Sequence, residues 1–437
     1  MILLYSKHKT SRIDYITGLI FKELMGYNVR VTTQKETYSN HEGIKLWYDD
    51  APAPGGLKIT PAGLVHAKGT KEVVTPQLTE YRGIPCLFPV TGGALPYDPF
   101  SAAFFLVTRY EEYHPYQADE HGRFQASSSF SFKHNFLHKP VVNHYALHLK
   151  EQIQAQYPDF QPQQATYQFT LTVDVDSAWA IRNKGPVRTL GAILKDLKKG
   201  DLKKLTYRFR VLRGKEPDPF DSFNHLFTYR RRFEMNLIFF ILLGDYGKYD
   251  KNINWYNVRF QELIKQLADI APIGIHPSYE SRNRPAQVAE EIARLEQITR
   301  KEVTKSRQHF LRLHMPTTYR TLVAKGIRED YTMGYADDYG FRAGICTPYY
   351  FYDLDLEQIT GLRVFPFAFM DGTLRDYLGK SVEESKAIID TLLAEVKAVN
   401  GHFISLWHNE SLGNKGRWEG WKTLCDYMIQ NGRASHA

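Results

Sequence analysis

Metal-capable side chains stand at the edges of several apolar runs in the second part of this 437-residue chain. Asp174 and Asp176 close one run, and His276, His309 and His408 border three others. Carboxylates two residues apart on a strand point to the same face, so both can reach one site. Oxygen and imidazole ligands without thiolate suit zinc, cobalt, nickel, manganese or iron. The residue types therefore predict one divalent metal, zinc before the others, and hydrolytic chemistry.

Each of these residues also has a plainer interpretation. Aspartates directly after a strand often cap helices or form turns, and a single histidine is more often structural than ligating. Four strand ends that deliver carboxylate or imidazole within one domain are harder to explain by coincidence. We therefore treat the set as a candidate site.

The elements that must position these side chains begin near residue 166. From there, apolar runs of strand length alternate with helical patterns, which predicts βα units and a parallel sheet. About 270 residues is the size of a (β/α) barrel, in which chemistry collects at the C-terminal ends of the strands. We predict an α/β fold with this barrel at 166–437, a smaller α+β domain of unknown role at 1–151, and a Gln-rich linker at 152–165.

The strand-end motifs resemble those of the polysaccharide deacetylases (carbohydrate esterase family 4, with the chitooligosaccharide deacetylase homology domain). The likeness rests on Thr172-Val-Asp174-Val-Asp176, His276-x-x-x-Glu280, the segment around Arg307, and Leu406-Trp-His408. It implies a distorted, incomplete (β/α) barrel. Residues 1–151 resemble an uncharacterised domain that accompanies a bacterial branch of these proteins, through the segments 92–96 and 109–113.

The resemblance implies a role for each matched residue. Asp174 would be the catalytic base and His408 the general acid. Asp176 and His276 would be metal ligands, and Arg307 would anchor the base carboxylate. The metal would polarise the acetamide carbonyl and activate the attacking water.

The sequence departs from the family pattern in ways that leave alternatives open. Val175 separates the usual adjacent aspartates, so the roles of Asp174 and Asp176 could be exchanged. Glu280 stands where a second metal histidine is expected, and His309 or His314 could bind instead. If the segment is a strand, only one of these two histidines faces the site, and we favour His309.

Other residues have weaker assignments. Asp371 could hold and charge His408, or it could be a turn residue. Side chains beside the motifs could contact a sugar, and Arg342 could contact an anionic group of the substrate. These candidates for substrate binding are Trp179, Tyr279, Arg342, Trp407 and Asn409.

The net charge of +8 is concentrated in one insert. Residues 182–215 contain twelve Lys and Arg against two Asp, so the rest of the chain is close to neutral. This distribution counts against a nucleic-acid-binding protein. A Gly200-Asp201 break divides the insert into two short amphipathic helices. They are either a solvated hairpin packed on the barrel or an element that rests on an anionic membrane.

These observations lead to one functional hypothesis and two rivals. We expect metal-dependent removal of an N-acetyl group from a glycan or a lipid-linked sugar. The rivals are a non-catalytic carbohydrate-binding protein with a degraded site, and a hydrolase of a small amide. The N-terminus has no basic segment before its short apolar run, so we expect a cytoplasmic protein, peripheral to the membrane if the insert binds lipid.

Overall fold

The computed structural model describes residues 1–163, 165–233 and 235–433. Residue 164 of the predicted linker, and residues 234 and 434–437 of the predicted barrel, lie outside the described residues. A long helix, Val141–Gln156, continues into the segment predicted as a linker. The chain therefore remains helical for five residues beyond the predicted boundary at 151.

The first part of the chain contains a four-stranded sheet. Its strands are β1 (Ile2–Ser6), β2 (Val29–Thr32), β3 (Ile44–Tyr48) and β4 (Leu57–Ile59), in the order β2-β1-β3-β4. All three pairings are parallel, so the predicted α+β arrangement is wrong for this sheet. Parallel neighbours require crossover connections, and a helical segment supplies the one between β1 and β2. Strands β5 (Leu78–Tyr81) and β6 (Ile84–Leu87) form a separate antiparallel hairpin.

Helices surround this first sheet. The α-helices are α1 (Ser11–Thr17), α2 (Lys35–Ser39), α3 (Pro99–Val107), α4 (Phe130–Lys133) and α5 (Val141–Gln156). A π-helix spans Gly18–Leu24, and 3₁₀ helices span Leu64–His66, Tyr110–Tyr113 and Ala126–Ser128. Helix α3 is buried along its whole length and forms the centre of this part of the core.

The second part of the chain forms a nine-stranded sheet. Its strands are β7 (Gln168–Val175), β8 (Asn236–Ile241), β9 (Ile273–Ile275), β10 (Lys305–Ser306), β11 (Glu329–Asp330), β12 (Tyr349–Asp353), β13 (Gln358–Val364), β14 (Phe369–Met370) and β15 (His402–His408). The spatial order is β12-β13-β11-β10-β9-β8-β7-β15-β14. Every pairing is parallel except β12 with β13.

Helices connect most of these parallel strands. The α-helices are α6 (Pro186–Lys198), α7 (Leu202–Leu212), α8 (Phe223–Phe233), α9 (Val258–Ile270), α10 (Pro285–Thr299), α11 (Thr317–Ala324), α12 (Val382–Ala398), α13 (Asn409–Leu412) and α14 (Trp421–Gly432). Shorter helices span Tyr279–Arg282, His309–Leu311, Thr373–Tyr377 and Gly416–Trp418. None of the described helices is long and apolar enough to cross a membrane.

The nine-stranded sheet is an α/β arrangement in which the central strands are covered on both faces. Strand β7 is buried at every residue after Gln168, as expected for a parallel strand between two layers. Among the described residues, the hydrogen-bonded order ends at β14 on one side and β12 on the other. The sheet therefore does not close into a ring, which a complete barrel requires.

A buried ion pair and a hydrogen bond to the backbone join the two parts of the chain. Glu112 of the first part pairs with Arg342 of the second at 2.6 Å, and both side chains are almost fully buried. Arg109 also bonds Glu112, at 2.7 Å, and donates to the carbonyl oxygen of Arg342. Because Arg342 has its carboxylate partner across this contact, separating the two parts would leave its buried charge unpaired.

Candidate metal centre

Four strands, β7, β9, β10 and β15, bring polar residues to one edge of the nine-stranded sheet. Asp174 lies near the end of β7, and Asp176 follows that strand. His276 follows β9, Arg307 follows β10, and His408 ends β15. Because the carboxyl ends of parallel strands meet at the same edge, these side chains converge although they are far apart in the sequence.

Asp176, His276 and His309 form a group that could hold a metal ion. One ligand atom from each lies within 4.8 Å of the others. The Nε2 atom of His276 is 3.2 Å from Asp176 Oδ1, and Nε2 of His309 is 3.6 Å from Asp176 Oδ2. Three protein ligands with room for a further one are the pattern of a catalytic site rather than of a structural one.

The second nitrogen of each imidazole has a partner that orients the ring. His276 Nδ1 lies 2.6 Å from the carbonyl oxygen of Arg307, to which it can only donate. His309 Nδ1 lies 2.8 Å from Oδ1 of the buried Asp250. Both rings therefore carry a proton on Nδ1 and turn Nε2 toward Asp176, the arrangement in which metal-binding histidines are usually held.

The chemistry of Asp176 fits a cation at this position. Among the described residues, its Oδ1 atom is buried and has no hydrogen-bond partner. Burial raises the pKa of this carboxyl, but the facing His309 and the contact with His276 outweigh burial and bring the pKa well below its usual range. Asp176 is therefore ionised, and a bound cation would satisfy an oxygen that otherwise lacks a partner.

Asp174 lies beside this group but has a different partner. Its Oδ1 accepts a hydrogen bond from Arg307 Nη1 at 2.9 Å, and its Oδ2 is 3.6 Å from His276 Nε2. Asp174 and Arg307 are both buried. Arg307 is fixed further by donating to the carbonyl of Tyr331 at 2.9 Å and by lying over the ring of Phe240. The guanidinium therefore holds the Asp174 carboxylate in one orientation.

His408 and Asp371 form a hydrogen-bonded pair beside Asp176. His408 Nδ1 lies 2.7 Å from Asp371 Oδ1, and the backbone N–H of His408 donates to Asp371 Oδ2 at 2.8 Å. Nε2 of His408 is 3.8 Å from Asp176 Oδ2. Burial lowers the pKa of His408, but the carboxylates, Asp371 above all, outweigh burial and raise the pKa to about 10. His408 is therefore an imidazolium at neutral pH.

These groups open onto a cavity of about 210 Å³. One part of its wall is polar and includes Asp174, Asp176, His276, His309 and His408. Another part is apolar and includes Leu311, Met370, Leu406 and Trp418. A small apolar group beside a polar reacting centre would fit this combination.

Two of the ligand alternatives lie elsewhere. Glu280 is exposed on the 3₁₀ helix Tyr279–Arg282, and it is not part of the metal-capable group. His314 is half-buried beside Tyr116, which belongs to the first part of the chain. The expected strand at 309–313 is also wrong. His309 begins a short 3₁₀ turn in which Phe310 has a φ of 58°, so alternation along a strand does not explain its orientation.

The five residues predicted to bind substrate do not line the cavity among the described residues. Trp407 lies between two cavity residues on β15, and its side chain therefore points to the opposite face, where it is fully buried. Trp179 is buried and packs near Phe260. The Asn409 amide donates to backbone carbonyls of Ser177 and Phe220, at 3.1 and 2.9 Å.

Tyr279 and Arg342 have structural partners instead of a place in the cavity. Tyr279 stacks on Tyr249, with ring centroids 4.1 Å apart, and Arg312 covers its ring at 3.9 Å. Arg342 forms the buried ion pair with Glu112 described above. Closeness to His276 along the chain suggested Tyr279, and Arg342 was expected to contact an anionic group, but both side chains are buried against other residues.

Sequence reasoning missed two residues that support the site. Asp250 lies in the loop between β8 and α9, well beyond the end of β8 and after Asp245, so its position relative to the strand does not indicate its role. Its Oδ1 accepts from the backbone N–H of Tyr279 as well as from His309.

The other missed residue, Arg123, comes from the first part of the chain and lines the cavity. It donates to the carbonyl of Phe310 at 3.0 Å and to the Tyr377 hydroxyl at 3.2 Å. Its Nε donates to Asp119 at 2.7 Å. The first part of the chain therefore contacts the turn that carries His309. No local pattern around Arg123 indicates this contact, since Phe310 is far away in the sequence.

Metal binding is expected to displace a proton from His309. Burial lowers the pKa of this imidazole, but Asp176 and Asp250 raise it to about 9, so it is protonated at pH 7 in the metal-free protein. A metal binds only neutral imidazole. Uptake at pH 7 should therefore release about one proton, and the apparent affinity should rise about tenfold per pH unit up to about pH 9.

Calorimetric titration with Zn²⁺ in two buffers of different ionisation enthalpy measures this release directly. A heat of binding that does not depend on the buffer would contradict the assignment of His309 as a ligand. The Asp250→Asn variant supplies a matched comparison, because losing that carboxylate lowers the pKa of His309 and so reduces the number of protons released.

Comparison with known proteins gives a family match only for the first part of the chain. Residues 2–158 match the model of a family of unknown function, DUF7033. No curated protein matches the chain.

Several solved structures are similar to part of the chain at low identity. A structure provisionally named a polysaccharide deacetylase from Mycobacterium smegmatis is 14% identical, with a TM-score of 0.39, covering 62% of this chain and 86% of that one. The 4-alpha-glucanotransferase from Thermococcus litoralis is 13% identical, with a TM-score of 0.36, covering 62% and 37%. A mutant carbohydrate esterase family 4 pseudoenzyme with restored enzymatic activity is 12% identical, with a TM-score of 0.27, covering 62% and 65%. Because all these scores are low, functional conclusions rest on the residues of this chain.

Proposed function

We propose that this protein is a metal-dependent hydrolase that removes an N-acetyl group from an amino sugar in a glycan or a lipid-linked glycan. One observation carries the proposal. The ligand group Asp176, His276 and His309 shares one cavity with a carboxylate held by arginine and an imidazolium held by carboxylate. This set contains a candidate for each role in amide hydrolysis.

Asp176, His276 and His309 would hold the divalent ion. When bound there, the ion would supply Lewis acidity toward the acetamide carbonyl and would lower the pKa of the attacking water. Zinc suits one carboxylate and two imidazoles, and cobalt, nickel, manganese and iron accept the same ligands. The neighbouring Asp174 is already engaged by Arg307, which favours Asp176 over Asp174 as the ligand.

Asp174 would accept the proton of the attacking water. Its Oδ1 is occupied by the Arg307 guanidinium, whereas Oδ2 lies on the side of His276 and the ligand group. A base must lie within hydrogen-bond reach of the proton that it removes. The fixed Arg307 therefore orients the free oxygen of Asp174 toward the position where water would attack.

His408 would donate a proton to the departing amine. Amide hydrolysis breaks the C–N bond, and the nitrogen must gain a proton to leave as an amine. The Asp371 carboxylate keeps His408 protonated at neutral pH, with its pKa raised to about 10. Since Nδ1 is bonded to Asp371, the proton available for transfer is the one on Nε2, which faces Asp176 and the cavity.

The shape of the cavity is compatible with an acetylated sugar. Its apolar wall could receive the acetyl methyl group while the carbonyl faces the ligand group. We also infer that the nine-stranded sheet is the incomplete barrel that the resemblance implies. Side chains of β8, β14 and β15, including Phe240, Met370 and Leu406, meet in one cluster with Tyr331 after β11, as they would on the inside of a barrel.

The proposal is tested by acetate release from N-acetylated chito-oligosaccharides, with acetamide as the small-amide comparison. We expect release by protein reconstituted with Zn²⁺ or Co²⁺, loss of release with a chelator, and recovery when metal is restored. Binding of the oligosaccharide without acetate release in metal-loaded protein would favour a non-catalytic carbohydrate-binding protein. Acetamide hydrolysis as fast as oligosaccharide hydrolysis would favour a small-amide hydrolase.

A further inference from the structure

Helices α6 and α7 expose their apolar residues to solvent. In α6, Val187, Leu190, Leu194 and Leu197 are spaced three, four and three residues apart, so they form one stripe along the helix. These side chains are between 50% and 83% exposed. An amphipathic helix of a water-soluble protein normally turns such a stripe toward the core. The orientation of α6 is therefore the reverse of the usual one.

Helix α7 repeats this arrangement. Leu202, Leu205, Phe209 and Leu212 have the same spacing, and three of the four are exposed, whereas Leu205 is half-buried. Together the two helices, here called the α6–α7 hairpin, carry seven of the eighteen large hydrophobic side chains that are exposed among the described residues. Single exposed hydrophobic residues are common on protein surfaces, whereas a cluster of this kind marks an interaction surface.

A buried ion pair holds the hairpin in this orientation. Asp196 of α6 accepts from Arg208 of α7, with Nε and Nη2 at 2.8 and 2.7 Å from Asp196 Oδ2. Both side chains are at least nine-tenths buried. Asp196 and Arg208 thus face inward and the leucines outward. Turning the leucines inward would expose or break this pair, so the exposed stripes belong to the folded state.

Basic side chains border the exposed stripes. The insert at 182–215 contains twelve Lys and Arg against two Asp. Lys195, Lys198, Lys199 and Lys203 are all exposed on or between the two helices. An apolar stripe flanked by lysines fits a surface that offers both negative charge and an apolar interior.

The loop before α9 extends the same surface. Tyr246 and Tyr256 in this loop, and Val258 at the start of α9, are each more than half exposed. Arg188 of α6 lies 4.2 Å from the centre of the Tyr246 ring and donates to the carbonyl of Asn252 at 2.8 Å. The loop is therefore attached to the hairpin. Tyrosine is a preferred side chain at the boundary between lipid and water.

We propose that the α6–α7 hairpin and the adjoining loop bind the surface of a membrane that contains anionic lipid. The leucine stripes enter the boundary between headgroups and acyl chains, and the lysines contact lipid phosphates. Charge argues against a second copy of the chain as the occupant. Two copies joined through this face would place two strongly positive surfaces against each other.

The hairpin begins beside the candidate metal centre. Lys184, just before α6, donates to the Ser177 hydroxyl at 3.0 Å, and Ser177 directly follows Asp176. The start of the insert therefore contacts the segment that directly follows Asp176. Membrane binding itself requires no catalysis, so it can be tested independently of the proposed hydrolase activity.

Co-sedimentation of the full chain with vesicles tests the proposal. We expect retention on phosphatidylcholine vesicles that contain about one third phosphatidylglycerol at roughly 0.1 M salt, and little retention on pure phosphatidylcholine. The triple variant Leu190→Gln, Leu194→Gln, Leu197→Gln should reduce the partition coefficient by at least about tenfold. Glutamine is a good helix former, and these side chains are exposed, so the fold should persist.

A matched control substitutes exposed aliphatic residues elsewhere. Leu356 and Ile359 are 56% and 54% exposed, which is similar to the exposure of the α6 leucines. They lie elsewhere in the chain, near the β12–β13 turn. The double variant Leu356→Gln, Ile359→Gln should bind vesicles like the wild type. Wild-type protein that fails to bind anionic vesicles, or a triple variant that binds equally well, would overturn the proposal. Self-association of the wild type that the triple variant abolishes would assign the face to a second copy instead.

Discussion

The Asp174→Asn variant is expected to lower kcat for acetate release by about 10²- to 10⁴-fold, the usual contribution of a general base. The substitution preserves the size of the side chain and removes its ability to accept a proton at neutral pH. Asp174 is not in the ligand group, so the variant should still bind one equivalent of metal. Steady-state kinetics together with metal analysis of the purified variant measure both quantities.

The Asp174→Asn variant also removes the charged partner of the buried Arg307, which lowers the stability of the fold. The effect on stability must therefore be separated from the effect on catalysis. Asp353 is a suitable control because it is fully buried and pairs with an arginine, Arg320, at 2.6 Å, and it does not line the cavity. Both Asp174→Asn and Asp353→Asn should lower the melting temperature. Only Asp174→Asn should lower kcat. A wild-type kcat for Asp174→Asn would remove Asp174 from the role of base.

The His309→Ala variant is expected to weaken metal binding by more than about 10²-fold. Losing a residue that only orients a ligand typically costs 10- to 100-fold in affinity, and losing the ligand itself should cost more. Acetate release should fall in proportion to the metal lost and recover in part at high metal concentration. Competition with a chromogenic chelator gives the dissociation constant for the wild type and for the variant.

Two further substitutions discriminate between the ligands that the sequence left open. Glu280→Ala and His314→Ala change side chains that lie outside the metal-capable group, and both should bind metal as tightly as the wild type. If either variant lost the metal while His309→Ala retained it, the ligand set proposed for this site would have to be replaced.

Much of the candidate site follows from the sequence because strand ends are a local property. Apolar runs of strand length were recognisable around Asp174, His276 and His408, and parallel βα order places strand ends at one edge of a sheet. This reasoning needs no knowledge of distant contacts. It failed for the substrate-binding residues because closeness to a motif along the chain does not determine which face a side chain occupies. Trp407 precedes His408 directly and yet lies in the core.

Other features depended on contacts between segments far apart in the sequence. The sequence by itself determined the parallel sheet of the second part and the apolar spacing of α6 and α7. Only the tertiary structure decided that His309 reaches Asp176 from a left-handed turn, that Asp250 orients it, and that Arg123 of the first part contacts that turn. The structure also decided that the leucine stripes face outward, because burial of the Asp196–Arg208 pair requires it. Periodicity defines the faces of a helix, but tertiary packing determines which face is buried.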